Sequence, residues 1–249
     1  MIWEVPACSF LPAGSDCNQK GDQRMSWFVK FYKSDIGKKA VMAATGIVLF
    51  GFVLVHMLGN MKLYLGPSHI NEYGEWLRNV GAPALPHGMA LWIARVILLA
   101  CVGFHIHAAT VLTLKNWGAR PTDNSRRDFA AADYASRTMR WGGVIIVLFV
   151  IYHLLDLTWG KLNPSFIPGD VYHNIVASFS VWWVSLFYVV ANIALGFHLY
   201  HGLWSMFQSL GWNSPKFNSW RREFATAFAV IITLGNISFP IAVLLKIVR

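Results

Sequence analysis

Five long apolar stretches, separated by polar segments, dominate the hydropathy pattern of this 249-residue chain. They lie at about residues 40–58, 89–114, 142–159, 178–208 and 224–247. Each is close to or longer than the roughly 20 residues that a helix needs to cross a hydrocarbon core of about 30 Å. None shows the two-residue alternation of a membrane β-barrel strand. The pattern predicts an all-α integral membrane protein, with five transmembrane helices forming a bundle within residues 25–249.

A polar segment precedes the first span, and the chain has few cysteines. Residues 1–24 contain proline, glycine and aspartate but no apolar run long enough for a signal peptide, which predicts a disordered leader. The chain has 3 cysteines and no Cys-x-x-Cys motif, so an iron–sulfur cluster would belong to another subunit.

The distribution of basic residues indicates the orientation in the membrane. The net charge of +9 alone would also suit a nucleic-acid partner, but 15 of the 21 Lys and Arg residues precede span one or lie between spans two and three and between spans four and five. Only 5 lie on the alternate side. The positive-inside rule therefore places the N-terminus in the cytoplasm and the C-terminus outside. We expect a multi-pass protein of the bacterial inner membrane with no nucleic-acid partner, whose basic loops either set topology alone or also dock a cytoplasmic partner.

Four of the predicted spans contain a histidine within the apolar stretch, namely His56, His105, His153 and His198. An ionisable side chain inside the membrane is costly without a partner, so each is a candidate functional residue. For one histidine alone, a hydrogen bond to a neighbouring helix is the more common explanation. The depths of the four positions add information that no single histidine carries.

These depths form two pairs. His105 and His198 each lie ten residues from the inner end of their span, or about 15 Å at the helical rise. His153 and His56 lie thirteen and seventeen residues from the inner end of theirs, or about 20 and 26 Å, a difference that helix tilt absorbs. His105 is therefore predicted to face His198, and His56 to face His153.

Two facing pairs favour two bis-histidine b haems stacked across the bilayer, because haem iron takes two axial ligands. The fifth span supplies no ligand. Zinc is a weaker alternative, since a structural zinc site needs four ligands that converge on one point. Glycines in the same spans, such as Gly46, leave room for a flat macrocycle or equally permit close helix packing.

Three segments carry a family resemblance: FHLYHGLWS at 197–205, VHMLGN at 55–60 and YHLLD at 152–156. From about residue 25 onward, the chain resembles the single-chain, five-helix, dihaem cytochrome b membrane-anchor subunit of succinate:quinone reductases and related fumarate reductases. The resemblance implies a flavoprotein subunit that performs the dicarboxylate chemistry and an iron–sulfur subunit that delivers electrons. It also implies a quinone acceptor, for which we expect menaquinone, and is compatible with a higher oligomer.

By this resemblance, His105 and His198 hold the proximal haem, near the iron–sulfur subunit, and His56 and His153 hold the distal haem. One position departs from the pattern. Some fumarate reductases of this group carry a glutamate two residues before the fourth ligand for proton transfer, and this chain has Gly196 there. A proton path through that residue is therefore not expected.

Quinone reduction requires protons, and Asp156 is the best candidate donor because it follows His153 by three residues, on the same face of a regular helix. Further candidates for the distal quinone site, in a segment that otherwise reads as an interfacial amphipathic helix, are Tyr64, His69 and Glu75. Candidates for contacts with a haem propionate or a quinone are His201, Arg95 and Asn60. Arg95 is equally compatible with pairing to Asp156 or with snorkelling to the headgroups.

Two other functions remain open from the sequence. A dihaem anchor that oxidises quinol for another redox enzyme, such as a hydrogenase or formate dehydrogenase, would have different soluble subunits. A haem-free anchor or small transporter would use the histidines for packing or proton relay and would lack b-type absorption bands.

Overall fold

The computed structural model describes residues 27–119, 130–212 and 214–249. The predicted leader, residues 1–24, lies outside the described residues. The helices in chain order are α1 (Trp27–Lys33), α2 (Asp35–Asn60), α3 (Pro67–Asn79), α4 (Met89–Gly118), α5 (Ala130–His153), α6 (Val171–Phe179), α7 (Trp182–Ser209) and α8 (Pro215–Leu244). A 3₁₀ turn (Met61–Leu65) extends α2, and a π-helical turn (Leu154–Thr158) extends α5.

Five of these helices, α2, α4, α5, α7 and α8, are long and apolar enough to cross a membrane. This confirms the all-α membrane fold expected from the hydropathy pattern. Large apolar side chains on their outer faces are exposed, for example Leu99, Leu148 and Leu234 at 74%, 60% and 63%. Such exposure is what a lipid-facing surface requires.

The helix ends differ from the predicted spans where polar residues or bends intervene. α2 begins at Asp35 rather than near residue 40, because the Ser34 hydroxyl caps the helix by accepting from the Gly37 N–H at 2.9 Å. α8 begins at Pro215, nine residues before the apolar stretch, since its first turns are polar and basic. The fourth span begins at Trp182 rather than 178, because the chain bends at residues 180–181.

The spanning helices pack as neighbours in two groups. α2 packs against α4, whereas α5 packs against α7 and α7 against α8. In the described part of the chain, α4 has few close backbone contacts with α5 or α7, and α2 has few with α5. At the end that the charge pattern predicts to be cytoplasmic, Lys115 of α4 binds Asp35 of α2 at 2.6 Å. α2 also contacts α7 and α8, which joins the two groups. The paired histidines lie between the groups, where α2 faces α5 and α4 faces α7, a region called the groove below.

The opposite end, here called the outer end, carries the two short helices α3 and α6. The Asn71 side chain of α3 donates to the Asp170 carboxylate at 3.0 Å and accepts from the Tyr172 N–H at 3.0 Å. The Tyr172 hydroxyl donates to the carbonyl of Arg249, which ties the C-terminus to the same layer. α3 and α6 therefore cover the outer end of the bundle as one hydrogen-bonded unit.

Candidate functional site

The outer histidine pair joins α2 to α5. The ring centres of His56 and His153 are 5.8 Å apart, with the ring planes at 86°. Phe52 stacks on His56 at 5.4 Å, and Phe149 lies 5.8 Å from His153. The two imidazoles thus meet across the groove between the helix groups, flanked by one phenylalanine on each helix.

The inner pair joins α4 to α7 in the same way. The ring centres of His105 and His198 are 6.3 Å apart, with the planes at 62°. Both side chains are half-buried. The structure therefore brings each membrane histidine beside the partner that depth counting assigned to it.

The distances within both pairs suit ligation of one iron from two sides. An imidazole nitrogen about 2 Å from a metal puts its ring centre about 3 Å away, so two opposed rings lie about 6 Å apart. Among the described residues, no group of three or more His, Cys, Asp or Glu side chains converges as a metal site. The donor set is therefore two separate pairs of imidazoles, which fits bis-histidine haem better than zinc.

Hydrogen bonding assigns the free nitrogen of His105. The Thr45 hydroxyl donates its proton to the Val41 carbonyl at 2.7 Å. Its oxygen lies 3.2 Å from His105 Nδ1 and is left to accept a hydrogen bond there. Nδ1 of His105 consequently carries the proton, and the lone pair of Nε2 is available to a metal.

Small residues adjoin the inner pair. A Cβ atom on Gly46 would lie 3.6 Å from His105 Cε1, and one on Gly143 would lie 3.9 Å from His198 Cε1. Nδ1 of His198 is buried and has no partner within hydrogen-bonding geometry among the described residues. A larger side chain at either glycine would extend into the space around the imidazoles.

Asp156 is fully buried beside the outer pair, at 1% exposure. It lies in the π-helical turn that follows His153, and such turns occur frequently at functional sites. Its Oδ2 accepts from the Ser178 hydroxyl at 2.6 Å and from the Tyr188 hydroxyl at 2.9 Å. The Tyr188 oxygen in turn lies 3.4 Å from His153 Nδ1, at the long end of the hydrogen-bonding range. Three polar side chains thus connect the outer pair to α6 and α7.

The structure places the remaining predicted site residues apart from this network. The Arg95 guanidinium lies 5.0 Å from the centre of the Trp92 ring and is exposed, which agrees with the snorkelling alternative rather than with pairing to Asp156. A cation above an aromatic ring at the membrane interface is a stable arrangement for a snorkelling arginine. Oδ2 of Asp156, the other partner considered for Arg95, accepts from two hydroxyl groups.

The outer-loop candidates are dispersed over the surface. The Tyr64 hydroxyl donates to Ser238 of α8 at 2.7 Å, and His69 is exposed on α3. Glu75 is exposed and pairs with Arg78 and His87 at 3.1 Å each. The hydrogen bond from His87, followed by that from Arg78, holds the pKa of the Glu75 carboxyl below its usual range. No hydrogen bond within the described ranges links these three residues to Asp156.

Three further polar residues lie along the spans. His201 is half-buried, and its ring centre lies 4.9 Å from that of the neighbouring Tyr200. Asn60 ends α2 and is half-buried. His107 points away from the inner pair, because its Nδ1 lies 2.5 Å from the Tyr32 hydroxyl of α1.

Sequence reasoning missed Thr45, Ser178 and Tyr188, whose hydroxyls lie within hydrogen-bonding distance of a paired histidine or of Asp156. A signal existed for one of them. A tyrosine hydroxyl within a membrane span needs a hydrogen-bond partner, and Asp156 needs one as well. Matching the two would have required the rotation of α7 relative to α5, which hydropathy does not give.

Part of the chain is similar to a known protein family. Residues 120–237, a little under half of the chain, match the family model of the succinate dehydrogenase/fumarate reductase transmembrane subunit. The matched region contains one histidine of each pair, His153 and His198, together with Asp156 and Tyr188. No curated protein and no solved structure matches the chain. The matched part of the chain is thus similar to a transmembrane subunit of this enzyme class.

Proposed function

We propose that this chain is the cytochrome b membrane-anchor subunit of a succinate dehydrogenase, which carries electrons from an iron–sulfur subunit through two b haems to membrane quinone. The observation that carries the proposal is the pair of imidazole contacts, at 5.8 and 6.3 Å, that join helices from the two groups of the bundle. The match to the transmembrane-subunit family supports the enzyme class.

His105 and His198 would hold the haem nearer the cytoplasmic end, and His56 and His153 would hold the one nearer the outer end. Haem iron supplies reversible one-electron transfer when it is bound. The protein fixes the ligands. Thr45 orients His105 through Nδ1, and the Phe52 and His56 rings stack at 5.4 Å.

The stacking of the two sites gives the chain a direction for electron flow. Electrons would enter at the cytoplasmic end, where the charge pattern places the basic loops and where an iron–sulfur subunit would dock. An electron that crosses fully from the negative inside to the positive outside gains about 2.3 kcal/mol per 100 mV. This gain would favour transfer to a low-potential quinone, which supports menaquinone as the proposed acceptor in a bacterial inner membrane.

The quinone would bind toward the outer end, near Asp156. The carboxyl of Asp156 is enclosed, and the hydroxyls of Ser178 and Tyr188 donate to it. A proton would therefore leave a protonated Asp156 only after one of these hydroxyls had turned to accept it. Arg95 and Tyr64 lie nearer the surface as candidate contacts for a propionate or a quinone headgroup. If Asp156→Asn retained full quinone reductase activity with an unchanged pH profile, this placement would be wrong.

Purification of the native complex tests the function. We expect a flavoprotein and an iron–sulfur protein to copurify, b-type bands in the reduced-minus-oxidised spectrum, and two haems per chain. Copurification with hydrogenase or formate dehydrogenase subunits would reassign the enzyme. A chain without b-type bands would contradict the electron-carrier role altogether.

A further inference from the structure

We propose that Tyr188 and Asp156 form a relay that fixes the tautomer of His153 and strengthens it as an electron donor to the iron of the outer haem. The inference rests on the proposed function, because it concerns one axial ligand of that haem. It assigns Tyr188 a role as a positioning residue, which acts through His153 without touching the iron.

The directions of the two hydrogen bonds at the Tyr188 hydroxyl determine the tautomer of His153. The Tyr188 hydroxyl has one proton, and it donates that proton to Asp156 Oδ2 at 2.9 Å. The same hydroxyl oxygen lies 3.4 Å from His153 Nδ1 and can act there only as an acceptor. Nδ1 of His153 therefore holds its proton toward Tyr188, and the Nε2 lone pair is available to the iron.

The packing around Tyr188 holds the relay in place. Tyr188 is 4% exposed, and its ring contacts Phe149 at 5.1 Å and Phe179 at 4.8 Å, both edge-on. Ser178 donates a second hydrogen bond to the same carboxylate oxygen at 2.6 Å. The phenol is thereby confined between the carboxylate and the imidazole.

The two haem sites differ in where their hydrogen bonds end. At the inner site, the Thr45 hydroxyl donates its hydrogen bond to the backbone carbonyl of Val41, which is a neutral acceptor. At the outer site, the chain from His153 through Tyr188 ends on the carboxyl group of Asp156. A carboxylate at the end of such a chain raises the basicity of the ligating imidazole, and outer partners of this kind typically change metal affinity about 10–100-fold. A more basic imidazole stabilises the oxidised iron more than the reduced iron.

The sign of the effect follows from this asymmetry. Tyr188→Phe removes the acceptor for the Nδ1 proton, so the affinity for oxidised iron falls and the reduction potential of the outer haem rises. A tenfold change in the ratio of affinities corresponds to about 59 mV for one electron. Ser178→Ala removes a competing donor from Asp156, which then pulls harder on the Tyr188 proton. The potential of the outer haem is therefore expected to fall in that variant.

The experiment is a spectroscopic redox titration of the purified full complex. The outer haem is identified as the spectral component that His56→Ala removes. Tyr172→Phe is the matched control, because it deletes a hydroxyl that is bonded to a backbone carbonyl at the outer end and not to a histidine. We expect the reduction potential of the outer haem to rise in Tyr188→Phe, by up to the amount that corresponds to about a tenfold change in the affinity ratio. The potential should fall by a smaller amount in Ser178→Ala and should not change in the control.

A merely structural role for Tyr188 would not shift the potential of the outer haem in opposite directions in Tyr188→Phe and Ser178→Ala while leaving the potential of the inner haem unchanged. Shifts of the same sign in both variants, or equal shifts at both haems, would overturn the relay. If Tyr188→Phe bound no outer haem, the Ser178→Ala shift alone would decide, and its absence would overturn the relay. Absence of b-type bands from the unmodified complex would instead overturn the proposed function.

Discussion

The imidazole of His56 on α2 meets that of His153 on α5 with ring centres 5.8 Å apart and planes at 86°. These two helices have few close backbone contacts in the described structure, so the rings bridge a space that the helices themselves do not fill. His105 and His198 repeat the arrangement between α4 and α7. Two separate bridges of this kind distinguish the chain from a bundle in which single histidines serve packing alone.

Gly46 is predicted to be required for the inner haem. A leucine there would extend from a Cβ position 3.6 Å from His105 Cε1 into the space beside the ring. We expect Gly46→Leu to lose most of the inner haem and retain the outer one, as measured by the haem-to-protein ratio of the purified complex. Gly103→Leu is the control, since a Cβ atom on Gly103 meets nothing within 4 Å. Equal haem loss in both variants would argue against a specific cradle at Gly46.

A side chain larger than glycine at position 196 is predicted to destabilise the packing of α7 against α8. A Cβ atom there would overlap the hydroxyl oxygen of Thr233, which donates to the Ala229 carbonyl at 2.7 Å. We expect Gly196→Ala to cost about 1–3 kcal/mol of stability through overpacking, measured by thermal unfolding in detergent. Thr233→Ala in the same molecule should recover part of the loss. Simple addition of the two single effects would contradict a direct contact.

The same contact gives a physical reason for the absence of glutamate at position 196. A larger side chain at this position of α7 would displace Thr233 or the whole of α8, so the glutamate expected in some fumarate reductases has no room here. A proton path through this residue accordingly forms no part of the proposed function.

Asp170 is predicted to stabilise the outer end through the cap of α6. Its Oδ1 accepts from the His173 N–H and from Asn71, both at 3.0 Å. Asp170→Ala should therefore cost about 0.5–2 kcal/mol, the usual range for loss of an N-cap. Asp170→Asn retains an acceptor oxygen and should lose less.

The pH dependence of this effect has a defined sign. The hydrogen bond from the His173 backbone, followed by that from Asn71, lowers the pKa of Asp170 below its ordinary value of 3.8. A lowered pKa in the folded state contributes stability above the ordinary pKa and loses it as the pH falls through the folded value. The difference in thermal midpoint between the unmodified protein and Asp170→Asn should be constant near neutral pH and shrink below about pH 4. A difference that grows in acid would contradict the assignment.

Hydropathy alone predicted the five spanning helices, because lipid exposure selects long apolar runs almost independently of packing. Counting residues by the helical rise also predicted which histidines lie beside each other. Depth along a helix depends only on sequence position, so an error of a few residues in the predicted helix ends does not change which histidines are paired. The bend before Trp182 was not predicted, since the apolar pattern continues through residues 178–183 without proline or glycine.

Rotation about the helix axis could not be predicted in the same way. Asp156 was placed by regular α-helical spacing, whereas it lies in a wider π-helical turn and binds Ser178 and Tyr188. For Arg95 the sequence left contact with a propionate, pairing with Asp156 and snorkelling open, and the side chain lies over Trp92 on its own helix. Both outcomes depend on which faces of the helices meet, and hydropathy does not contain that information.

The four histidines are proposed to form two haem sites, each with one ligand from either side of the groove. The haem content of purified His56→Ala and His198→Ala complexes tests this, with His107→Ala as the control because that ring contacts Tyr32 instead. We expect one haem per chain in each of the first two variants, with different spectral components missing, and two in the control. Retention of both haems in either variant, or loss of the same component in both, would contradict it.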